Sequence, residues 1–374
     1  MRDRGKIRKI FPGGNTRNGF HSFFDYITGD NYNKRYIIKG GPGAGKSTFM
    51  SRIGRHMLEY GFDLEQYHCP TDPDSLDAIA IPELGVALLD GTAPHVVEPR
   101  NPGITDHIIW LGDYWDQSKL MESKDEILEL NRRADKLFRM AFSCLKEAGV
   151  AYDEWKSYAQ DDFNEQEYQK ALRQVMDDIY KDSLNRTFDR PRHSHFFAAA
   201  ISGKGVYNFT DGLIEPAYKV YAFSGMPGSG VRRAIGRIVQ QAEELGIRTQ
   251  QFHCPIDIGE LDLVIMPELK SVVVNTDQLL GGNSSPSDYK HLVSHINFDD
   301  FLNYRTICQF AQEIEQSKDR FHHLINRAID FISRAKATHG QIEKYYIDAM
   351  DFQRVDGKRA EVLQDIMKLI NNQG

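Results

Sequence analysis

Nine consecutive residues have the types and spacing that bind a phosphate chain. They are Gly40, Gly41, Pro42, Gly43, Ala44, Gly45, Lys46, Ser47 and Thr48, hereafter the first loop. A glycine, four residues and then Gly-Lys-Ser form the signature of a phosphate-binding loop, whose glycines let backbone N–H groups converge on phosphate oxygens. Lys46 would neutralise the β- and γ-phosphates, Ser47 would offer its hydroxyl to Mg²⁺, and Thr48 would donate near the α-phosphate. The residues thus predict binding of a nucleoside triphosphate with magnesium.

The segments on either side of the first loop fit this prediction. Tyr36-Ile37-Ile38 is typical of a short buried strand, and residues 49–60 have the periodicity of a helix that Gly61 would end. A helix starting at the loop points its unpaired N–H groups and positive dipole end at the phosphates. The alternative is a glycine-rich turn that matches the pattern by chance, but strand, lysine, serine and helix all agree.

Magnesium needs a carboxylate as well, and Asp90 is the best candidate. It follows the apolar run Val86-Ala87-Leu88-Leu89, so it would lie at the carboxyl edge of a sheet, where such sites form. The structural alternative is that Asp90 caps the turn at Gly91-Thr92. We assign Ser47 and Asp90 to the metal, and Lys46 and Asp90 to catalysis.

The chain contains an internal repeat. Tyr-His-Cys-Pro at 67–70 returns as Phe-His-Cys-Pro at 252–255, and Ile-Pro-Glu-Leu at 81–84 returns as Met-Pro-Glu-Leu at 266–269. Both recur at one offset, since 253 − 68 and 267 − 82 each equal 185. The same offset places residues 225–233, hereafter the second loop, on the first loop without a gap. We therefore expect two similar units.

The second loop keeps its glycines but lacks the chemistry of the first. Val231, Arg232 and Arg233 stand at the positions of Lys46, Ser47 and Thr48, and Asn275 stands at that of Asp90. The second unit is then a scaffold half that no longer hydrolyses nucleotide. Alternatively, one of the arginines reaches a phosphate, either on a nucleotide held without magnesium or across the interface as an arginine finger.

Four further carboxylates near the first loop are weaker candidates. Asp77 and Glu83 are retained in the second copy as Asp262 and Glu268, which suggests a structural role. Asp72 and Asp74 follow a strand and could orient an attacking water or accept a proton, and Asp74 is the more specific to the first unit because Gly259 replaces it. We add Asp74 to the catalytic candidates, although Asp-Pro-Asp-Ser also forms turns readily.

The repeat divides the chain into residues 1–188 and 189–374, with the boundary near 185–191. Each unit is expected to contain a strand, the glycine loop, a helix, two strands and a helical tail. Apolar strands alternating with helices predict an α/β fold with parallel sheets covered on both sides by helices. The apolar stripes of the tails, at 130–145 and 321–332, are expected to pack on their own unit, with Gly149 ending the first helix.

Composition narrows the remaining possibilities. The chain has 374 residues, 41% of them hydrophobic, and a net charge of −7, so a nucleic-acid partner is not implied. No apolar run approaches the length of a membrane span, and we expect a cytosolic protein whose four cysteines stay reduced. A zinc site joining His68-Cys69 to His253-Cys254 is conceivable, but adjacent strand residues point to opposite faces, so buried or edge positions explain them better.

These motifs together resemble those of a bacterial family of tandem-repeat P-loop ATPase-like proteins, within the P-loop NTPase superfamily. The resemblance runs over nearly the whole chain and rests on the first loop and on segments 11–16, 68–77, 81–86 and 90–95. It implies ATP binding by the first unit. The second loop departs from the pattern at Val231, Arg232 and Arg233.

Three functions are compatible with these residues. The first is a magnesium-dependent ATPase whose second unit regulates it or binds a partner. The second is a kinase that passes the γ-phosphate to a nucleotide or another small molecule, with Asp72 or Asp74 near the acceptor. The third is a nucleotide-gated binding module with negligible turnover. The absence of an arginine-rich lid in the sequence of the first unit ranks the kinase second.

Overall fold

A computed structural model describes residues 3–29, 32–160, 163–181, 183, 193–277, 279–280 and 285–371. The predicted boundary at 185–191 lies outside these residues. Within them, no helix is both long and apolar enough to cross a bilayer.

Two sets of strands and helices follow each other along the described chain. The strands are β1 (Ile7–Ile10), β2 (Gly13–Thr16), β3 (Gly19–Ser22), β4 (Lys34–Lys39), β5 (Leu64–His68), β6 (Leu76–Ile81), β7 (Val86–Asp90), β8 (Asp106–Trp110), β9 (Ser194–Phe196), β10 (Ala199–Ser202), β11 (Gly205–Asn208), β12 (Lys219–Ser224), β13 (Gln250–His253), β14 (Leu261–Met266), β15 (Ser271–Asn275) and β16 (Leu292–Asn297). The helices are α1 (Lys46–Glu59), α2 (Gln117–Glu122), α3 (Lys124–Gln160), α4 (Glu165–Tyr180), α5 (Thr210–Leu213), α6 (Val231–Glu244), α7 (Tyr304–Gln309), α8 (Ala311–Ala349) and α9 (Phe352–Asn371).

Twelve of these strands form two six-stranded sheets of the same order, and β2-β3 and β10-β11 form two antiparallel hairpins. The first is β1-β5-β6-β7-β4-β8, and the second, read from its other edge, is β9-β13-β14-β15-β12-β16. The α/β class is confirmed, but the expectation of parallel sheets is wrong, because β6 and β14 run antiparallel to both neighbours. The reason is connection length: only residues 82–85 separate β6 from β7, far fewer than the dozen or more that a parallel crossover needs.

Each sheet buries one face against the other sheet. In β6, Ala78 and Ala80 pack in a core shared with Leu263 and Ile265 of β14, while Ile79 and Ile81 point to the opposite side. That opposite side is covered by helices, α1 and α9 on the first sheet and α4 and α6 on the second. The expected helical cover on both faces is therefore replaced by helices on one face and a sheet on the other.

The helical tails are exchanged between the two halves of the chain, which correspond to the predicted units 1–188 and 189–374. Val362 and Ile366 of α9 pack on the first sheet, and Leu172 and Ile179 of α4 pack on the second. Between these ends, α3 and α8 lie along each other and share one apolar core, which includes Tyr152 and Phe321 among other residues. The stripes are thus helical, as predicted, but they pack mainly on each other across the two halves, and the core they share includes Ile201 and Cys254 of the second half. The expectation that each stripe packs on its own unit is therefore only partly right. Amphipathic periodicity shows which face is buried without showing what buries it.

Gly149 does not end the first tail helix, because α3 continues to Gln160. A β-carbon at Gly149 would lie 2.5 Å from Nε of Arg17, so this glycine allows a side chain of the β2–β3 hairpin to cross the helix. In contrast, Gly61 has a φ value of 84° just beyond α1, which confirms its predicted place at the helix end, and Gly246 stands equivalently beyond α6 with a φ value of 73°.

The two halves also contact each other reciprocally. The N–H of Phe11 donates to the carbonyl of Phe197 at 3.1 Å, and the N–H of Phe197 donates to the carbonyl of Phe11 at 3.0 Å. Both phenylalanines are fully buried. This mutual pair lies where an approximate two-fold relation between the halves would place it, since 197 − 11 is 186, close to the repeat offset.

The exchange of helices makes a testable prediction. Ile366 is completely buried, and replacing it with Ala should cost about 2–5 kcal/mol. Because Ile366 packs on the first sheet, amide hydrogen exchange should quicken in β4 and α1 more than in β12 and α6. Ile179→Ala in α4 should give the opposite pattern.

Gln364 lies on α9 as well but is exposed to solvent. Gln364→Ala therefore serves as the control and should change hydrogen exchange in neither sheet. Faster exchange in β12 after Ile366→Ala would contradict the exchange of tails.

Candidate functional site

The first loop joins β4 to α1 and has the backbone that its glycines permit. Gly43 and Gly45 have φ values of 69° and 84°, in the region that disfavours residues with a β-carbon. Gly45 precedes the first turn of α1, and no side chain there accepts a hydrogen bond from the turn's N–H groups. In the second loop Gly228 and Gly230 have φ values of 91° and 103°, so both loops share this backbone.

Lys46 folds back over the first loop. Its ammonium donates to the carbonyl oxygens of Gly40 at 2.8 Å and Gly41 at 2.9 Å, and lies 3.5 Å from the nearer carboxylate oxygen of Asp90. The side chains of Lys46 and Asp90 are both largely shielded from solvent. The positive charge is therefore held inside the loop by weak neutral acceptors and one anion.

Asp90 ends β7, as the sequence predicts, beside the strand that leads into the loop. In the parallel pairing of β4 with β7, Asp90 is opposite Ile38. Its carboxylate accepts from the N–H of Thr92 at 2.9 Å, and the Thr92 hydroxyl donates to the Gly40 carbonyl at 3.1 Å. Asp90 therefore both stabilises the turn and faces Lys46, so the structural and functional interpretations are compatible.

Ser47 is the second predicted metal ligand. Its hydroxyl oxygen accepts a hydrogen bond from the N–H of Leu76 at 2.9 Å, which leaves a further lone pair on that oxygen. Thr48 is exposed on the first turn of α1. Among the described side chains no group of three or more His, Cys, Asp or Glu could hold a metal ion. Magnesium in a triphosphate site does not need such a group, because phosphates and water supply most of its oxygens.

Asp77 lies in the same site, although the sequence ranked it low. It is buried in β6, and one of its carboxylate oxygens has no hydrogen-bond partner among the described residues. Burial and then the charge of Asp90 raise the pKa of Asp77 well above its usual value, against the opposing effect of Lys46. The sequence did contain a signal for this site, because Asp77 is a carboxylate inside an otherwise apolar strand. We ranked Asp77 low because the second unit retains it as Asp262.

Helix α8 of the second half covers the first loop from outside. A β-carbon at Gly43 would lie 2.7 Å from the carbonyl oxygen of Glu343, and one at Gly41 would lie 3.2 Å from the rings of Trp115 and Tyr346. The second loop is covered in the same way, since a β-carbon at Gly228 would meet the carbonyl of Lys156 at the end of α3. Each glycine loop therefore touches a helix from the other half of the chain.

Asp72 and Asp74 form ion pairs with the second half instead of facing Lys46. Lys204, in the β10–β11 hairpin, pairs with Asp74 and lies 3.1 Å from Asp72, and Lys336 of α8 lies 3.1 Å from Asp72. The side chain of Asp74 is 74% exposed. In the structure Asp74 thus joins the halves, and its catalytic role stays a prediction. The mirror contact is Arg17 to Asp257, at 3.6 Å.

The equivalent site of the second unit is filled by Arg232. Its guanidinium lies 3.1 Å from Glu260, 2.9 Å from Asp262 and 3.1 Å from Asp277, and its side chain is only 10% exposed. Asn275 also donates to Asp262 at 3.2 Å. In the second unit a guanidinium of the chain thus stands at the position where the sequence predicts that Ser47 of the first unit binds Mg²⁺.

Arg233 points elsewhere. It lies 2.8 Å from Glu165 and stacks 4.1 Å from the ring centroid of Tyr168, both in α4. The structure therefore places both arginines against groups around the second loop, which disfavours an arginine finger reaching the first.

The histidine and cysteine pairs do not form the zinc site that we considered. Nδ1 of His68 and Nδ1 of His253 each lie 2.6 Å from a backbone carbonyl five residues on, those of Pro73 and Ile258. All four cysteines are free thiols. Nε2 of His253 lies 2.9 Å from Nδ1 of His195, and burial lowers the pKa of both imidazoles. The histidines therefore pack at the contact between the halves.

No family model, no curated protein and no solved structure matches this chain.

The paired state of Arg232 makes a prediction. Arg232→Ala leaves Asp262 and Asp277 without their cation, while Glu260 keeps Lys156, and this should lower the free energy of unfolding by roughly 3–5 kcal/mol, as for other broken buried ion pairs. Arg233→Ala removes a half-exposed pair and should cost about 1 kcal/mol or less. Urea denaturation of both variants measures the difference.

If the first unit hydrolyses ATP, as the sequence predicts, folded Arg233→Ala should turn over ATP at the rate of the unchanged protein. A loss of turnover without loss of stability in either variant would instead support an arginine that acts on the first loop.

Proposed function

We propose that the first loop binds a nucleoside triphosphate, ATP in the first place, together with Mg²⁺, and that the first unit hydrolyses it. The observation that carries the proposal is the geometry of Lys46, which sits inside a glycine loop with its ammonium on the Gly40 and Gly41 carbonyls and near Asp90. Those carbonyls are weak partners for a cation. Phosphate oxygens bring full negative charge and would replace them.

The residues of this chain would then act as follows. The N–H groups around Gly43 and Gly45 and the start of α1 bind phosphate oxygens, and the Lys46 ammonium moves from the carbonyls to the β- and γ-phosphates. Ser47 and Asp90 would hold Mg²⁺, which when bound neutralises phosphate charge. In hydrolysis a water oxygen bonds to the γ-phosphorus, the bond to the β–γ bridging oxygen breaks, and the water proton leaves with the products.

We infer further that the chain consists of two related P-loop NTPase-like units, of which the second is regulatory or binds a partner. The repeat, the shared strand order of the two sheets and the shared φ values of the two loops support this. The guanidinium of Arg232 lies among three carboxylates at the position that corresponds to Ser47. This supports the inference that the second unit does not hydrolyse nucleotide. We propose a cytosolic location, which the four free thiols support.

One observation favours a nucleotide-gated module as the second candidate. The carbonyl of Glu343 in α8 touches the first loop at Gly43, and α8 packs along α3. A loop that rearranges around phosphates would therefore push directly on the helical pair. The kinase, which the sequence ranks second, falls to third, because Asp72 and Asp74 are paired with Lys204 and Lys336.

Isothermal titration calorimetry tests nucleotide binding. The protein with Mg²⁺ should bind ATP or GTP, and Lys46→Ala should weaken the affinity at least about tenfold, because it removes a charged hydrogen-bond donor to phosphate. Lys39→Ala is a matched control, since Lys39 lies just before the loop and pairs with Glu98. It should bind as the unchanged protein does.

Absence of heat with either nucleotide, or equal affinity of the Lys46→Ala variant, would contradict the proposal. Labelled ATP, alone and with a panel of nucleosides and nucleoside monophosphates, then separates the activities. Free phosphate without acceptor supports the ATPase, transfer to an acceptor supports the kinase, and binding with neither supports the gated module.

A further inference from the structure

One buried imidazole beside the first loop has no role in the account so far. His95 is 8% exposed, and neither of its ring nitrogens has a hydrogen-bond partner among the described residues. Burying polar groups without partners costs free energy, and the great majority of such groups in folded proteins are satisfied. Two unsatisfied nitrogens on one ring therefore call for a ligand or a function.

The position of His95 is fixed by the turn that follows Asp90. Thr92 ties this turn to the loop through the Gly40 carbonyl, and a β-carbon at Gly91 would lie 2.5 Å from Ile37, so the turn lies tightly on β4. The imidazole stacks face to face on Phe24, with ring centroids 4.3 Å apart and planes 10° apart. The ring is thus held in one orientation by packing, without a hydrogen bond to any residue of the described ranges.

His95 is also close enough to Lys46 and Asp90 to sense their charges. Burial lowers the pKa of His95 to about 4, with a smaller raising effect from Asp90 and a smaller lowering effect from Lys46. The imidazole is therefore neutral at physiological pH, so one ring nitrogen carries a proton to donate and the other has a lone pair.

The second unit provides an internal comparison. The repeat offset places Leu280 at the position of His95, since 95 + 185 is 280, and the sequence has no histidine from 276 to 290. Leu280 packs against the apolar core between α3 and α8. The histidine is therefore replaced in the same unit that lacks the lysine, the serine and the aspartate of the first site. A residue needed only for packing gives no reason for this joint replacement.

We propose that His95 contacts the terminal phosphate of the bound nucleotide. The imidazole N–H donates a hydrogen bond to a γ-phosphate oxygen and stabilises the charge on that oxygen while water bonds to the γ-phosphorus. The inference rests on the proposed function. It identifies His95 as the residue that makes the site prefer a nucleoside triphosphate to a diphosphate.

The test compares a triphosphate with a diphosphate in matched variants. His95→Phe keeps an aromatic ring on Phe24 and removes both nitrogens, His95→Leu copies the second unit, and His95→Gln keeps a hydrogen-bonding amide. Binding of ADP and of a non-hydrolysable ATP analogue, each with Mg²⁺, is measured by calorimetry, and kcat and KM for ATP are measured alongside. Thermal unfolding of each variant checks that it is folded.

His95→Phe and His95→Leu should bind the ATP analogue roughly tenfold more weakly, the size expected for a lost hydrogen bond to a charged group, while ADP affinity changes less than about twofold. Their kcat should fall by at least about tenfold, and His95→Gln should restore part of both losses. Equal weakening of ADP and the ATP analogue, or no change in either, would overturn the role of His95.

The failure of this inference is distinguishable from failure of the proposed function. If the unchanged protein binds both nucleotides and Lys46→Ala weakens both, the site stands, and the histidine variants alone decide the inference. If the unchanged protein binds neither nucleotide, the proposed function fails and the role of His95 falls with it.

Discussion

Neither half of this chain can bury its own sheet. One face of each sheet is covered by the other sheet, as the shared core of Ala78, Ala80, Leu263 and Ile265 shows. Part of the other face is covered by a helix that belongs to the opposite half, α9 on the first sheet and α4 on the second. Because buried apolar area dominates folding free energy, the two halves stabilise each other and the sites they contain.

This mutual packing also sets the surroundings of the two glycine loops. The loops share positive φ values at two equivalent pairs of glycines, 43 with 228 and 45 with 230, and each is touched by the end of a long helix from the other half. What differs is charge. Around the second loop Arg232 and Lys156 give each of the three carboxylates, Glu260, Asp262 and Asp277, a cationic partner. Around the first, Lys46 rests on neutral carbonyls, and Asp77 and His95 keep unsatisfied polar atoms. A lysine ammonium held mainly by neutral carbonyls, with a partnerless imidazole beside it, supports the anionic ligand that we propose.

Local signals in the sequence predicted much of this. The glycine spacing predicted the first loop, the apolar runs predicted β4 and β7, and Gly61 predicted the end of α1. These elements were predictable because each is determined by residues that are neighbours in the sequence. The position of Asp90 beside Lys46 followed from the same reasoning. The antiparallel direction of β6 could also have been predicted, since the four residues between β6 and β7 are too few for a parallel crossover.

Other features depend on contacts that no local pattern contains. Amphipathic stripes cannot tell whether α4 and α9 cover their own sheet or the other one, so the exchange was missed. His95 looked like part of a loop, because its burial arises from Phe24, which lies 71 residues earlier in the sequence (95 − 24). Asp77 was ranked low because its counterpart is retained, although that counterpart, Asp262, binds Arg232. Retention in a copy shows that a position is constrained without showing by what.

The most direct test of the central claim is a crystal structure of the chain with Mg²⁺ and a non-hydrolysable ATP analogue. The account predicts one triphosphate per chain, held by residues 40–48, with the Lys46 ammonium moved from the Gly40 and Gly41 carbonyls to phosphate oxygens. A nucleotide bound at residues 225–233, or a bound nucleotide with Lys46 still on the loop carbonyls, would contradict it.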